Sequence, residues 1–196
     1  MQTLLNNIVF LDKQLNAWFL SLHNAAADKI FLSVTLFGEA MFVIILAVII
    51  SALLWRWRKK WQIFALWVVV VGSGVCIQIA KLFFHRARPS GALIVENSAS
   101  FPSGHATIAI AFYGFLAYLV LRQINQAHFL QKMCLIKKYR ALILEVSIII
   151  ILVIGFSRLY LGVHYLSDVL AGYLVGAVWL AIGIKIDKLK SNNNKL

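Results

Sequence analysis

Five long apolar stretches, separated by short polar or basic segments, run through most of the chain. They cover residues 38–55, 62–84, 105–121, 141–156 and 164–184. An α-helix needs about 20 mostly apolar residues to cross the hydrocarbon core of a bilayer, and these stretches are close to that length. The pattern therefore predicts an all-α fold, an integral membrane helical bundle of about five transmembrane helices, with no room for a second folded unit.

The first 37 residues follow a different pattern, because they are apolar on one helical face only. That face consists of Leu4, Ile8, Leu11, Leu15, Trp18 and Leu22, which fall three or four residues apart. Asp12 and Lys13 lie in the middle of this stretch, where charged side chains would be costly inside hydrocarbon. Residues 1–37 are therefore predicted to form an amphipathic helix in the membrane interface, with a short extra span as the alternative.

The distribution of charge predicts the orientation of the bundle. The chain carries 19 Lys and Arg against 7 Asp and Glu, a net charge of +12, although only 13% of its residues are charged. With residues 1–37 outside and the spans alternating, thirteen cations fall on the inner side and six on the outer side, in accord with the positive-inside rule. Residues 38–184 then form the transmembrane domain and residues 185–196 a basic, polar cytoplasmic tail. Topology accounts for the net charge, so the expected partner is the membrane bilayer and no nucleic acid.

Alternation of the spans also brings eight candidate site residues to the outer ends of four helices. They are Lys81, Arg88, Ser103, Gly104, His105, Arg158, His164 and Asp168. Ionisable residues at such depth are costly and indicate function by default. Arginines bind phosphate oxygens in forked pairs, and a helix that opens after Pro102 offers free backbone N–H groups to the same anion. The sequence therefore predicts a phosphate-binding pocket on the outer side.

Two histidines and a carboxylate supply the chemistry for that pocket. His164 and Asp168 are four residues apart and are predicted to share one face of a helix. The carboxylate would accept the ring N–H and leave the other nitrogen free to attack, while His105 from a different span would protonate a leaving oxygen. Glu96 and Asp168, as acids among so many cations, would make a poor magnesium site, and the cations would oppose zinc as well. We therefore expect neither a metal nor another cofactor.

Three short blocks hold these residues. Lys81 to Pro89 reads K-x6-R-P, residues 102–105 read P-S-G-H, and residues 157–168 read S-R-x5-H-x3-D. Together they resemble the three-part signature of the type 2 phosphatidic acid phosphatase (lipid phosphate phosphatase) superfamily, in its bacterial membrane form. One block alone would be weak evidence, but all three occur in order and on one predicted face of the membrane.

The resemblance implies a role for each residue of the signature. His164 would be the nucleophile, Asp168 would orient it, and His105 would act first as general acid and later as the base that activates water. The phosphoryl group would be bound by Lys81, Arg88, Ser103, Gly104 and Arg158.

The activity implied by the resemblance is metal-independent hydrolysis of a lipid phosphomonoester or diphosphate through a phosphohistidine intermediate. The substrate would be phosphatidate, phosphatidylglycerophosphate or undecaprenyl diphosphate. The enzyme would be a multi-pass protein of the inner (plasma) membrane, with its active site on the periplasmic or extracytoplasmic face. Phosphate transfer to a second lipid at the same site is one alternative, and anion or lipid transport is another. The sequence leaves the oligomeric state open.

Four residues outside the signature carry further expectations. Arg86 is expected to meet lipid headgroups, and Glu39 is expected to cap a helix or to reach towards water. Gly172 and Gly176 form a G-x-x-x-G pattern in the last span. We expect these glycines to pack inside the bundle rather than to form a dimer face.

Overall fold

Every regular element in the described part of the chain is helical. The computed structural model describes residues 2–126 and 135–193. The helices are α1 (Gln2–Ser21), α2 (Ala25–Thr35), α3 (Ala40–Arg56), α4 (Lys60–Phe84), α5 (Gly104–Ile108), α6 (Gly114–Gln126), α7 (Leu135–Tyr160) and α8 (Leu166–Asn193). A 3-10 turn, Leu36–Gly38, joins α2 to α3, and a π-helical turn, Ala109–Tyr113, joins α5 to α6.

Four continuous helical segments are long and apolar enough to cross a membrane. They are Lys60–Phe84, Gly104–Ile124, Lys138–Tyr160 and Leu166–Lys190. Helices α2 and α3 meet the same test together, as one broken span that is bent by 50°. The predicted bundle of about five membrane helices is thereby confirmed.

The N-terminal segment is divided into two helices, α1 and α2. Asn24 separates them, and its side chain caps α2 by accepting a hydrogen bond from the Ala27 N–H at 3.0 Å. Helix α1 packs against α7 and α8. Phe19 of α1 is buried in one cluster with Leu161 and Val163, so α1 lies against the turn that precedes α8 and carries His164.

The bend between α2 and α3 brings the backbone close to His105, and Gly38 permits this approach. A Cβ atom at Gly38 would lie 2.5 Å from Cδ2 of His105, so a larger residue would displace the imidazole. Tyr113 holds the bend from the π-helical turn, because its hydroxyl donates to the Phe37 carbonyl at 2.7 Å. As a result, Glu39 lies next to His105.

Helix α8 packs closely against the helix that begins at Gly104. A Cβ atom on Gly172 would lie 2.6 Å from the Ser103 carbonyl oxygen, and one on Gly176 would lie 2.5 Å from that of Thr107. The prediction that these two glycines pack inside the bundle is confirmed. The close approach lets the Ser103 N–H donate to the Asp168 carbonyl at 3.0 Å, which fixes the start of α5 against the first turn of α8.

An ion pair ties α6 to α8 at the opposite end of the bundle. Arg122 pairs with Asp187, which is buried, and the Tyr118 hydroxyl donates to the same carboxylate at 2.9 Å. Helix α8 continues to Asn193, so most of the predicted tail, residues 185–196, is helical. Lys132 of the predicted basic loop and Lys195 of the tail lie outside the described residues.

Candidate active site

A cavity of about 450 Å³ opens where the ends of α3, α4 and α5 meet the turn before α8. Four residues of the predicted site line it, namely Lys81, Gly104, His105 and His164, together with Glu39 and Glu96. Arg88 and Arg158 adjoin the cavity by pairing with Glu96. The structure therefore gathers both histidines and the predicted cations around one space.

His164 and Asp168 are brought together by a turn rather than by one helical face, so the predicted shared face is wrong. Helix α8 begins at Leu166, and His164 lies in the turn before it. Asp168, in the first turn of α8, accepts a hydrogen bond from the Tyr165 N–H at 2.9 Å. Its Oδ2 is also 3.6 Å from Nδ1 of His164. That distance exceeds a hydrogen bond, but contacts of this kind tighten when substrate binds.

The second ring nitrogen of His164 faces a guanidinium group. Nη1 of Arg88 is 3.4 Å from Nε2 of His164 and donates to the Val163 carbonyl at 2.8 Å. The pKa of His164 is lowered to about 4, mainly by burial and also by the positive charges of Arg158 and Arg88, against the opposing effect of Asp168. The ring is therefore neutral at pH 7, with one nitrogen turned towards Asp168 and the other available as a nucleophile.

We expect His164 to remain neutral at pH 5 to 6, where an ordinary histidine with a pKa of about 6.5 is largely protonated. Since its pKa lies near 4, the charged form gains the majority only below that pH. A ¹⁵N NMR titration of histidine-labelled protein in lipid nanodiscs measures this directly, and the spectrum of His164→Gln assigns the resonance. A midpoint at pH 6 or above would contradict the burial of this ring in the free enzyme.

Glu96 bridges two arginines at the edge of the cavity. Its Oε2 is 2.6 Å from Nη2 of Arg88, and its Oε1 pairs with Nη2 of Arg158. Arg158 is fully buried and also donates to the Thr35 hydroxyl. Burial alone would raise the pKa of Glu96, but the charges of Arg158 and Arg88 outweigh it and lower the pKa. Two guanidinium groups thus hold an anion at the site where sequence reasoning predicted a phosphate.

Lys81 and Arg88 are both tied to the loop that carries Glu96. The Lys81 ammonium donates to the Ser98 hydroxyl at 2.8 Å, and Nε of Arg88 donates to the Ser98 carbonyl at 2.7 Å. Because residues 85–103 contain no regular helix, these side-chain bonds fix the loop at the rim of the cavity. Lys81 and Arg88 thus both donate to the Ser98 hydroxyl at this rim.

His105 lies on the cavity wall and has an acidic neighbour that the sequence did not indicate. Its Nε2 is 3.3 Å from Oε1 of Glu39. Glu39 precedes α3 but makes no side-chain cap, so the capping alternative is wrong, while the 49% exposure of its side chain agrees with the predicted reach towards water. A carboxylate at this position can orient the imidazole by accepting its ring N–H.

Ser103 holds the backbone of the P-S-G-H block in place. Its side chain accepts a hydrogen bond from the Ala106 N–H and so caps α5, and the residue is fully buried. Gly104 lines the cavity, whereas Ser103 lies behind it. The structure therefore gives Ser103 a capping contact, and Gly104 the position at the cavity wall.

Arg86 takes part in an ion-pair network, so the prediction that it meets headgroups is wrong. Its Nη1 is 2.6 Å from Oδ1 of Asp168 and its Nη2 is 2.8 Å from Oδ2 of Asp12. The sequence carried one signal for this network, namely Asp12 itself, a charge in the middle of a stretch with an apolar face. Nothing in the spacing of the chain pairs that charge with a residue more than 70 positions away.

Within residues 2–126 and 135–193, no group of three or more His, Cys, Asp and Glu side chains converges as metal ligands do. Glu96 and Asp168, the two acids that the sequence offered for such a site, are instead paired with arginines.

Known proteins resemble this chain across the site. The model of the PAP2 superfamily matches residues 62–191, which include every residue of the predicted site. Phosphatidylglycerophosphatase B of Bacillus subtilis (strain 168) is 30% identical over 150 residues, or 76% of this chain and 70% of that protein. Lipid A 1-phosphatase of Rhizobium johnstonii is 33% identical over 128 residues, which cover 60% of this chain and 44% of that protein.

Two solved structures share the fold. The crystal structure of the transmembrane PAP2-type phosphatidylglycerolphosphate phosphatase from Bacillus subtilis superposes with a TM-score of 0.83 at 27% identity, covering 93% of this chain and 87% of that one. The crystal structure of Aquifex aeolicus LpxE gives a TM-score of 0.64 at 22% identity, over 89% and 95% of the two chains. At that identity the second match concerns the fold alone.

Proposed function

The chain belongs to the PAP2 superfamily, and from this membership we propose that it removes phosphate from a membrane lipid through a phosphohistidine at His164. Its relatives hydrolyse lipid phosphate esters, and the protein is a membrane phosphatase of the same kind. We propose in addition which residues of this chain perform the reaction and which class of lipid is the substrate. The observation that carries it is the neutral, buried His164 ring between Asp168 and Arg88.

Phosphate binding is supported by the contacts of Glu96. A carboxylate that bridges Arg88 and Arg158 occupies the donors that a phosphoryl group of similar charge would use. We propose that the substrate phosphate displaces this carboxylate and binds between the two guanidinium groups. Lys81, at the cavity wall, would neutralise the remaining charge, and the backbone N–H of Gly104 would add a hydrogen bond.

In the first step, the Nε2 lone pair of His164 attacks phosphorus. The bond between phosphorus and the lipid oxygen breaks, and His105 donates its proton to that oxygen as the lipid leaves. Asp168 accepts the Nδ1–H of His164 and stabilises the positive charge that develops on the ring. Glu39, whose carboxylate is 3.3 Å from the imidazole, and the negatively charged phosphoryl group of the bound substrate would together favour the protonated form of His105.

In the second step, water attacks the phosphohistidine. His105, now neutral, takes a proton from the water molecule, the phosphorus–nitrogen bond breaks, and inorganic phosphate leaves. His164 is regenerated with its proton still on Nδ1. Positioning and charge neutralisation would supply most of the acceleration in both steps, as is usual for phosphoryl transfer.

The substrate class is a lipid with a terminal phosphate group. The relatives act on phosphatidylglycerophosphate and on the 1-phosphate of lipid A, as their names state, so the shared chemistry is the phosphate ester and not one headgroup. A terminal phosphate group of this kind is present in phosphatidate, phosphatidylglycerophosphate and undecaprenyl diphosphate. The charge distribution supports a site on the extracytoplasmic face of the plasma membrane and a cytoplasmic C-terminus.

Purified protein in nanodiscs is expected to release inorganic phosphate from at least one of these three lipids, assayed side by side at equal surface concentration. The substrate with the largest kcat/KM identifies the headgroup that the site prefers. Addition of EDTA is expected to leave the rate unchanged, because arginine, lysine and histidine side chains carry out each proposed step.

Two outcomes would replace the proposal with an alternative. If phosphate appeared on a second lipid and not in solution, the protein would be a phosphotransferase. If sealed vesicles showed anion or lipid flux without phosphate release, it would be a transporter. If none of the three lipids lost its phosphate group in either assay, the proposed substrate class would be contradicted.

A further inference from the structure

Asp12 is a buried acid on helix α1, and the catalytic scheme above does not use it. Only 3% of the residue is exposed. Its Oδ1 accepts a hydrogen bond from the Ser167 N–H at 3.0 Å, and its Oδ2 accepts from the Ser167 hydroxyl and from Nη2 of Arg86 at 2.8 Å. Both oxygens therefore bind groups that border the first turn of α8, and α1 is fastened beside Asp168.

Arg86 connects Asp12 to Asp168. Its Nη1 donates to Oδ1 of Asp168 at 2.6 Å and to the Ser167 hydroxyl at 2.7 Å, and its guanidinium carbon lies 4.4 Å from the ring centre of Tyr165. Burial alone would lower the pKa of Arg86, but its bonds to Asp12 and Asp168 raise it, so the group stays charged. Arg88 and Arg158 pair with Glu96 at the cavity edge, whereas Arg86 pairs with Asp12 and Asp168, which separates it from the proposed phosphate-binding residues.

Each oxygen of Asp168 has a distinct partner. Oδ1 binds Arg86, while Oδ2 accepts from the Tyr165 N–H and faces Nδ1 of His164. Because a carboxylate is planar, the bond at Oδ1 fixes the rotation of the group and hence the direction of Oδ2. Building on the proposed function, we propose that Arg86 and Asp12 are positioning residues, through which α1 holds Asp168 in the orientation that directs the His164 ring at phosphorus.

The electrostatics of the network support this assignment. Asp12 and Asp168 are both buried, and one guanidinium group lies between them. Without that positive charge, two buried carboxylates would face each other, and one of them would take up a proton. A protonated Asp168 would be a weaker acceptor for the His164 N–H. The loss of Arg86 should therefore slow the chemical step more than it weakens substrate binding.

A second acidic link from the N-terminal segment provides a matched control. Asp28 on α2 accepts a hydrogen bond from the Tyr160 hydroxyl at 2.7 Å. This link also fastens the N-terminal segment to the bundle, but it contacts neither Asp168 nor His164. Asp28→Asn therefore removes an acidic tether of similar kind and leaves the proposed positioning contacts in place.

The test compares kcat and KM of Asp12→Asn, Arg86→Lys, Arg86→Gln and Asp28→Asn on the same lipid phosphate in nanodiscs. Loss of a partner that orients a metal-ligating side chain costs about 10- to 100-fold, and we expect a loss of the same order for a partner that orients Asp168, so that Arg86→Gln lowers kcat about 100-fold and Asp12→Asn about 10-fold. KM should change less than about threefold. Arg86→Lys should recover part of the loss, and adding Asp12→Asn to Arg86→Gln should have little further effect because the two residues act as one unit.

Two kinetic results would overturn the inference. One is a kcat of Arg86→Gln within twofold of the unchanged protein, and the other is a loss in Asp28→Asn equal to that in Asp12→Asn. The ¹⁵N resonances of His164 give a second readout, which does not depend on turnover. They are expected to shift in Asp12→Asn and Arg86→Gln but not in Asp28→Asn. If the protein released no phosphate but these resonances shifted as expected, the proposed function would be wrong and the positioning role of Arg86 and Asp12 would be supported. If the resonances did not shift, the positioning role would be wrong.

Discussion

Replacing His164 by alanine is expected to reduce phosphate release from the lipid substrate by about 10⁵-fold, the size of loss seen when a catalytic nucleophile is removed. No other described side chain has an unprotonated nitrogen beside Arg88 with a carboxylate behind it. The cations that are proposed to bind phosphate stay in place, so the loss should fall on kcat. Initial rates measured with a saturating ³²P-labelled lipid are sensitive enough to detect a loss of this size.

A neighbouring histidine serves as the matched control for that substitution. His85 follows α4 with a backbone φ of 42° and is exposed. Asparagine tolerates this left-handed conformation, so His85→Asn removes an imidazole near the site without strain. It should retain nearly full activity. If the His164→Ala protein kept more than about 1% of the activity, far above the residual activity expected without a nucleophile, His164 would not carry the phosphoryl group.

The helices and the three motif blocks could be predicted from sequence because they rest on local signals. A continuous apolar run predicts a membrane helix whatever its neighbours are. Lys81, Gly104, His105 and His164 lie at ends of such runs, and alternation alone places them on one side. The structure gathers them around one cavity, as that argument predicted.

The start of α8 could not be placed from the same signals. Hydrophobicity continues through Leu161 and Val163, so the pattern suggested a helix that already contained His164. The structure instead has a turn there, with Gly162 at a φ of 69°, and α8 begins at Leu166. His164 and Asp168 are close although His164 lies outside the helix, because the Asp168 side chain turns back and accepts a hydrogen bond from the Tyr165 N–H.

The ion pairs around the site could not be predicted, because they join distant parts of the chain. Asp12 was interpreted as a charge too costly for hydrocarbon, which favoured an interfacial helix. In the structure its charge is compensated by Arg86, and the carboxylate is buried. Glu39 meets His105 only because α2 and α3 bend at Gly38. One sequence carries no signal for such pairings, since neither helical spacing nor a motif relates the partners.

The second large effect is expected for His105→Gln, which removes the proposed proton donor but keeps a polar side chain of similar length. General acid catalysis contributes about 10²- to 10⁴-fold, and a lipid alkoxide is a poor leaving group that needs the proton. We expect kcat for the lipid phosphate to fall by about 10³-fold or more. An aryl phosphate with an alkyl chain, whose phenolate leaves without a proton, should lose far less in its first step.

The same substitution should expose the intermediate, because His105 is also the proposed base for water in the second step. With the aryl phosphate, formation of the phosphohistidine stays fast in His105→Gln while its hydrolysis slows. A burst of phenolate followed by a slow steady rate is therefore expected, and ³²P should remain bound to the protein in alkali but be released in acid. The double variant with His164→Ala should show no burst. Equal losses for the lipid and the aryl phosphate, with no bound ³²P, would mean that His105 neither protonates the leaving oxygen nor activates water.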